Sequence, residues 1–157
     1  MIVLARIDDR LIHGQVVLGW GRVLKPDRYL VVDDEVASSD WEKSLYASAV
    51  QDETSVSILT IDEAIEALNG ESFNDEKVIL LVKSPQTMLS LVEKGFNVSE
   101  VNVGGLHYSE GKEKILDNVY LNNEERLALR DLVKRGITLE ARPLPDSERV
   151  ILNHLVV

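Results

Sequence analysis

No cysteine occurs among the 157 residues. Disulfides, thiolate metal sites and a cysteine nucleophile are therefore excluded, and the composition suits a reducing compartment. Basic residues are also in short supply, with 17 Lys and Arg against 27 Asp and Glu, a formal net charge of −10. A surface of that sign repels phosphate backbones and anionic lipid headgroups, which disfavours nucleic acid or a membrane surface as partner. No apolar run approaches the ~20 residues needed to span a bilayer. The opening "MIVLARIDD" returns to charge too soon for a signal peptide. A soluble, cytoplasmic protein is expected. Linkers rich in Gly and Ser, internal repeats and low-complexity stretches are missing too, so residues 1–157 are read as one domain. A chain of this length buries roughly 68–70% of its unfolded surface and needs no covalent staples. There is no GxxxxGK[ST], no GxGxxG after a strand, no GxSxG and no HExxH. With no metal-ligand cluster visible either, neither a metal nor a cofactor is expected.

What the chain does contain is an alternation of strand-length apolar runs and helix-period segments. "IVLARI" (2–7), "YLVVD" (29–33), "SVSILT" (55–60), "KVILLVK" (77–83), "EVNVGG" (100–105), "NVYL" (118–121) and "ITLEAR" (137–142) are rich in Val, Ile and Leu. Several are continuously apolar, as strands buried on both faces are. Between them lie helix-end signals. Ser39 with Glu42, Thr60 with Glu63 and Asn122 with Glu125 have capping-box spacing. Ser84 and Pro85 read as N-cap and first helical residue, with Gly95 as the stop, and Gly70 and Gly136 end two other helices. In the first helix Val16, Val17, Trp20, Val23 and Leu24 fall on one face, with Trp20 a core anchor. The pattern predicts an α/β fold, an open, mostly parallel twisted sheet of about seven strands with helices on both faces. The last strand could run antiparallel, because "RPLPDSERVILNHLVV" follows it in place of a full helix. That tail is readable as a short helix packed back on the domain or as a subunit contact.

In such a sheet, ligands bind beyond the carboxyl ends of the strands. Residues 8–14, "DDRLIHG", follow the first strand and so lie on that rim. A helix starting near Gly14 turns its free N–H groups and positive dipole end toward whatever His13 holds, which favours an anion such as phosphate. Arg10 adds a fork of donors matched to phosphate oxygens. Gly14 lets a ligand approach the backbone closely. Neutral imidazole, with an ordinary pKa of ~6.5, is a nucleophile near neutrality. It can accept a phosphoryl group and pass it on, a reaction that needs mainly positioning and charge stabilisation. A loop histidine is more commonly a surface or structural group, and Asp8 and Asp9 are commonly turn-forming or ion-paired acids. The glycine pair Gly104 and Gly105 ends a strand, where most such pairs form turns. His107 and His154 read as structural or exposed.

"ARIDDRLIHGQV" followed by Trp20 resembles the active-site signature of the enzyme IIB components of the mannose/fructose/sorbose family. These belong to the bacterial phosphoenolpyruvate-dependent sugar phosphotransferase system. The resemblance continues through "VVDDEVA" (31–37), "VNVGG" (101–105) with the loop "LHYSEGK", and "RGITLEAR" (135–142), and so covers nearly the whole chain. It implies that His13 is the phosphorylated residue, transferring through Nδ1, and that Arg10 stabilises the phosphoryl group. Asp8, Asp9, Gly14 and Gln15 belong to the signature as site neighbours, without a division of roles between the two acids. Asp34 and Ser84, at the ends of the second and fourth strands, are expected on the same rim, with Gly104 and Gly105 bordering the pocket. The resemblance further implies enzyme IIA as phosphoryl donor, and the membrane components IIC and IID, with a hexose, as acceptor side. Attachment to the inner membrane through IIC and IID follows, and a homodimer is compatible with the family pattern. The alternative is a regulatory phosphohistidine module that signals by partner binding and modifies no sugar. Two departures from the family pattern are a proline-free stretch at 45–56 and the glycines flanking Trp20. Both leave the sugar unassigned.

Overall fold

The computed structural model describes residues 1–50 and 53–157. Gln51 and Asp52, inside the proline-free stretch, lie outside the described residues. The chain runs β1 (Ile2–Asp8), a π-helical turn (Gln15–Trp20) continuing as α1 (Gly21–Leu24), β2 (Arg28–Val32), α2 (Asp34–Ala37) and α3 (Asp40–Ser48). It continues with β3 (Ser55–Leu59), α4 (Ile61–Asn69), β4 (Val78–Val82), α5 (Pro85–Glu93) and β5 (Glu100–Gly105). The last part holds β6 (Glu113–Leu116), β7 (Val119–Leu121), α6 (Asn123–Lys134), β8 (Thr138–Ala141) and β9 (Val150–Ile151). A seven-stranded sheet has the order β3-β2-β4-β1-β5-β8-β9. Its first six strands are mutually parallel, and β9 alone pairs antiparallel, against β8.

Two assignments shift within that architecture. The apolar stretch 118–121 is a strand, but it pairs with β6 in a separate antiparallel hairpin. The seventh place in the sheet goes to β9 instead. The tail forms no helix; beyond β9 it buries Leu152 and Val156 in the core.

Period-two alternation divides the buried residues between two cores. On β2 and β4, Leu30, Val32, Val78, Leu80 and Val82 face one layer with Ala64 of α4, Met88 and Leu91 of α5, and Leu129 and Leu132 of α6. Tyr29, Val31, Ile79 and Leu81 face the other, with Val16 and Trp20 of the first helix and Val36 of α2. Helices therefore cover both faces. The caps follow the spacing: Thr60 with Glu63 and Asn122 with Glu125 form full capping boxes, while Ser39 and Ser84 each accept one amide hydrogen bond. In the first helix Val16 and Trp20 are buried, but Val23 is 63% exposed. The π-helical turn takes more residues per turn than an α-helix, so an apolar face projected at 3.6 residues per turn drifts by position 23.

The sheet changes winding direction at β1. Strands β2 to β4 lie on one side of it and β5, β8 and β9 on the other, so the loop after β1 opens into a topological switch point. Leu80 of β4 is fully buried beside β1. Leu80→Ala is expected to lower unfolding stability by roughly 2–5 kcal/mol. Urea titration checks this; a loss under about 1 kcal/mol would contradict that packing.

Candidate functional site

β1 is where the alternation turns polar. Ala5 and Ile7 enter one core, so Arg6 and Asp8 point to the opposite face, under the first helix, and both are fully buried. The β-turn that follows bonds the Leu11 amide to the Asp8 carbonyl at 3.0 Å. Leu11 then takes a left-handed conformation with φ 57°, a backbone region costing roughly 1–2 kcal/mol for a side-chain-bearing residue. Leu11 and Ile12 are buried as anchors, which offsets that cost, and His13 follows at the rim with 16% of its side chain exposed.

Asp8 is the hub. Its Oδ2 accepts hydrogen bonds from Arg6 Nη2 at 2.9 Å and Arg10 Nη2 at 3.3 Å, and lies 2.9 Å from His13 Nε2. Its Oδ1 accepts from the Arg10 amide at 3.0 Å and Arg10 Nε at 3.2 Å. Burial by itself would raise the Asp8 pKa. The hydrogen bond with His13, the charge of Arg6 and the bond from Arg10 outweigh it and hold the carboxyl well below the usual carboxylate range. Asp8 is therefore ionised. A carboxylate can only accept, so Nε2 carries the proton and the lone pair of the neutral ring sits on Nδ1. Among the described residues Nδ1 has no hydrogen-bond partner.

The helix start after His13 supplies free donors. The amides of Val16 and Val17 both turn to the His13 carbonyl at 3.0 Å, leaving those of Gly14 and Gln15 without an acceptor among the described residues. Gly14 has helical φ and ψ, and a Cβ there would meet no protein atom within 4 Å. The space beside it is open to a ligand. Arg10 Nη2 also donates to Gln15 Oε1 at 2.8 Å, so the guanidinium is braced from two sides while remaining partly exposed.

The two acids divide the work. Asp9 accepts from the His107 amide at 2.8 Å and lies 2.6 Å from His107 Nδ1, and so clamps the loop after β5 to the rim. The glycine pair belongs beneath the arginines: a Cβ on Gly104 would fall 2.0 Å from Arg6 Cζ, and one on Gly105 3.2 Å from Arg10 Nη2. Asp34 and Ser84 are occupied elsewhere. Asp34 accepts from the Ile61 amide at 2.9 Å, linking the start of α2 to that of α4, and Ser84 caps α5. Neither has a hydrogen bond to His13 or Arg10. His154 is exposed.

Arg6, Asn102 and Glu140 are functional candidates that the sequence reading missed. Arg6 Nη1 donates to Asn102 Oδ1 at 2.7 Å and to the Arg142 carbonyl at 3.2 Å. Its guanidinium also lies 5.9 Å from the centre of the Trp20 ring, whose indole N–H is bonded to the Pro143 carbonyl. The signal was present as alternation: "ARID", "VNVGG" and "TLEA" each place polar or small residues at every second position, between apolar ones.

A profile of the family described as "PTS system sorbose subfamily IIB component" matches residues 2–157. The chain belongs to that family. The N-acetylgalactosamine-specific phosphotransferase enzyme IIB component 1 of Escherichia coli K12 is 34% identical over 149 residues, 94% of each chain. The IIBSor domain of the sorbose permease from Klebsiella pneumoniae superposes with a TM-score of 0.92 at 30% identity, covering 98% of this chain and 94% of that one. The mannose-specific EIIAB component of E. coli K12 is 33% identical over 156 residues, which are 99% of this chain but 48% of that longer protein. The chain is thus an EIIB member of the sugar phosphotransferase systems. No helix among the described residues is long and apolar enough to cross a membrane, and none of their His, Asp and Glu side chains cluster in threes able to hold a metal ion.

The electrostatics around Asp8 fix a pH dependence of stability. The folded-state pKa of Asp8 is depressed, so its ionic contribution is complete above the unfolded value of about 3.9 and is lost as pH falls toward the depressed one. Asp8→Asn leaves Arg6 a buried, uncompensated cation and is expected to cost about 3–5 kcal/mol at neutral pH. In denaturant titrations from pH 7 to pH 2, the gap between wild type and variant should narrow below about pH 4. A gap that stayed constant would show Asp8 to be uninvolved.

Proposed function

We propose that residues 1–157 form one phosphoryl-carrier domain, in which His13 accepts a phosphoryl group from a phosphohistidine of enzyme IIA and donates it to a hexose. The observation that carries this reading is the His13–Asp8 contact, which holds Nε2 and leaves Nδ1 without a partner among the described residues, on a residue that precedes a helix start and shares Asp8 with Arg10. The Nδ1 lone pair attacks phosphorus as the donor's N–P bond breaks in line, and Nε2–H stays on Asp8 as positive charge develops on the ring. Arg10 and the free amides of Gly14 and Gln15 meet the three phosphoryl oxygens. In the second step a sugar hydroxyl attacks the same phosphorus. The N–P bond breaks, a P–O bond forms, the hydroxyl proton is released and neutral imidazole returns.

Enzyme IIA is the donor that the fused mannose EIIAB relative supports, since there an A and a B component share one chain. Partnership with IIC and IID, and attachment at the membrane through them, follow from the same reading. Relatives of nearly equal identity are named for N-acetylgalactosamine and mannose, so the overall likeness does not select the sugar.

The test is phosphate incorporation from phosphoenolpyruvate in the presence of enzyme I, the histidine carrier and an active IIA. Wild type should gain one acid-labile phosphate and His13→Ala none, with its far-UV circular dichroism unchanged; label on the variant refutes the assignment. Arg10→Ala should slow the transfer roughly ten- to a hundred-fold, the kinetic equivalent of one charge-assisted hydrogen bond. An unchanged rate removes Arg10 from the site.

A further inference from the structure

The strand register sets Arg6 directly opposite Asn102 in the β1/β5 pair, and Asn102 opposite Glu140 in the β5/β8 pair. Side chains opposite one another share a face. One polar row therefore crosses three strands on the face covered by the first helix. It starts at His13 and Asp8 and passes through Arg6 and Asn102 to Glu140. There it ends on Arg149, which pairs with Glu140 and, at 3.1 Å, with Glu100.

Within this row Asn102 stands between a cation and an anion. Its carbonyl oxygen accepts from Arg6 at 2.7 Å and its amide nitrogen donates to Glu140 at 3.2 Å. The neutral amide keeps Glu140 off the guanidinium, so the charge of Arg6 is directed to Asp8. Arg6 and His13 contact the same oxygen, Asp8 Oδ2, at 2.9 Å each. The two compete for it. A firmly held Arg6 limits the pull of Asp8 on the imidazole; a loose Arg6 leaves Asp8 free to favour the doubly protonated ring, which has no lone pair.

We propose that Asn102 and Glu140 are positioning residues for phosphoryl transfer, which act through Arg6 to set how much of the Asp8 charge reaches His13. This rests on the reading of His13 as phosphoryl acceptor. Stability does not account for the row, because well-packed apolar residues at buried ionic positions are commonly neutral or stabilising. The other charged groups near Asp8 are accounted for. Arg10 grips its outer side, Asp9 and His107 are engaged with each other, and the Arg142 guanidinium is turned to the carbonyls of Pro145 and Ser147. The arm through Asn102 is the buried part of the network that can tune Asp8 without touching substrate.

The experiment measures the rate of phosphoryl transfer from phospho-IIA between pH 5 and 9, with melting temperatures alongside. Asn102→Leu should move the acidic limb of the rate profile upward by about one pH unit, a roughly ten-fold loss on that limb. Its rate at alkaline pH should stay close to wild type. The double variant Asn102→Asp/Glu140→Gln conserves net charge and lets the glutamine donate to the new carboxylate. It should recover the melting temperature yet keep the shifted limb, since a carboxylate now competes with Asp8 for Arg6. Superimposed profiles for wild type and Asn102→Leu overturn the inference. So does a double variant in which limb and melting temperature recover together, because that is how a purely structural row behaves. Absence of label on wild type with an active IIA would instead defeat the underlying assignment of His13.

Discussion

The buried ion pair between Arg6 and Asp8 is the constraint around which the site is built. Two charges removed from water on a central strand stabilise nothing by default, because desolvation consumes the Coulombic gain unless the remaining hydrogen-bonding capacity is satisfied. Here it is satisfied asymmetrically. The carboxylate is saturated by Arg6, Arg10, the Arg10 amide and His13, whereas the Nε of Arg6 is buried without a partner among the described residues. The guanidinium is held by its two terminal nitrogens and by the Trp20 ring. Glycine at 104 is a consequence, since any side chain there would occupy the volume of that guanidinium.

Much of the fold was legible because burial writes itself into the sequence with a fixed period. β4, covered on both faces, appears as an unbroken Val, Ile and Leu run, and β2 ends in one. The capping residues mark helix starts at positions 60, 84 and 122. The hairpin of β6 and β7 escaped notice because β7 is as apolar as a sheet strand: Val119 and Leu121 serve the same core from outside the sheet. Val23 was misplaced because nothing in local composition announces the wider π-helical turn before it.

The candidate site was legible where one short segment carries it. Asp8, Arg10, His13 and Gln15 meet because a single turn folds them together. Arg6, Asn102 and Glu140 were hidden because they converge only through strand pairing, over as many as 134 residues from Arg6 to Glu140. Alternation showed which face they occupy; their alignment needed the register. Asp34 and Ser84 show the converse. Both stand at the carboxyl ends of strands, and each satisfies a backbone amide of a helix without a hydrogen bond to the Asp8 network.

The glycines on either side of Trp20 have a physical reason. A Cβ at Gly19 would meet Leu144 at 2.7 Å, and one at Gly21 would meet the Tyr29 hydroxyl at 2.2 Å. The guanidinium carbons of Arg6 and Arg142 lie 5.9 and 5.8 Å from the centre of the indole ring. The other tryptophan, Trp41, is 73% exposed. The chain consequently carries two fluorophores in opposite settings, one solvated and one stacked against the arginine that grips Asp8. A change in the charged interior around Arg6 therefore falls on the environment of Trp20 and leaves that of Trp41 untouched, an intrinsic optical gauge built into the fold.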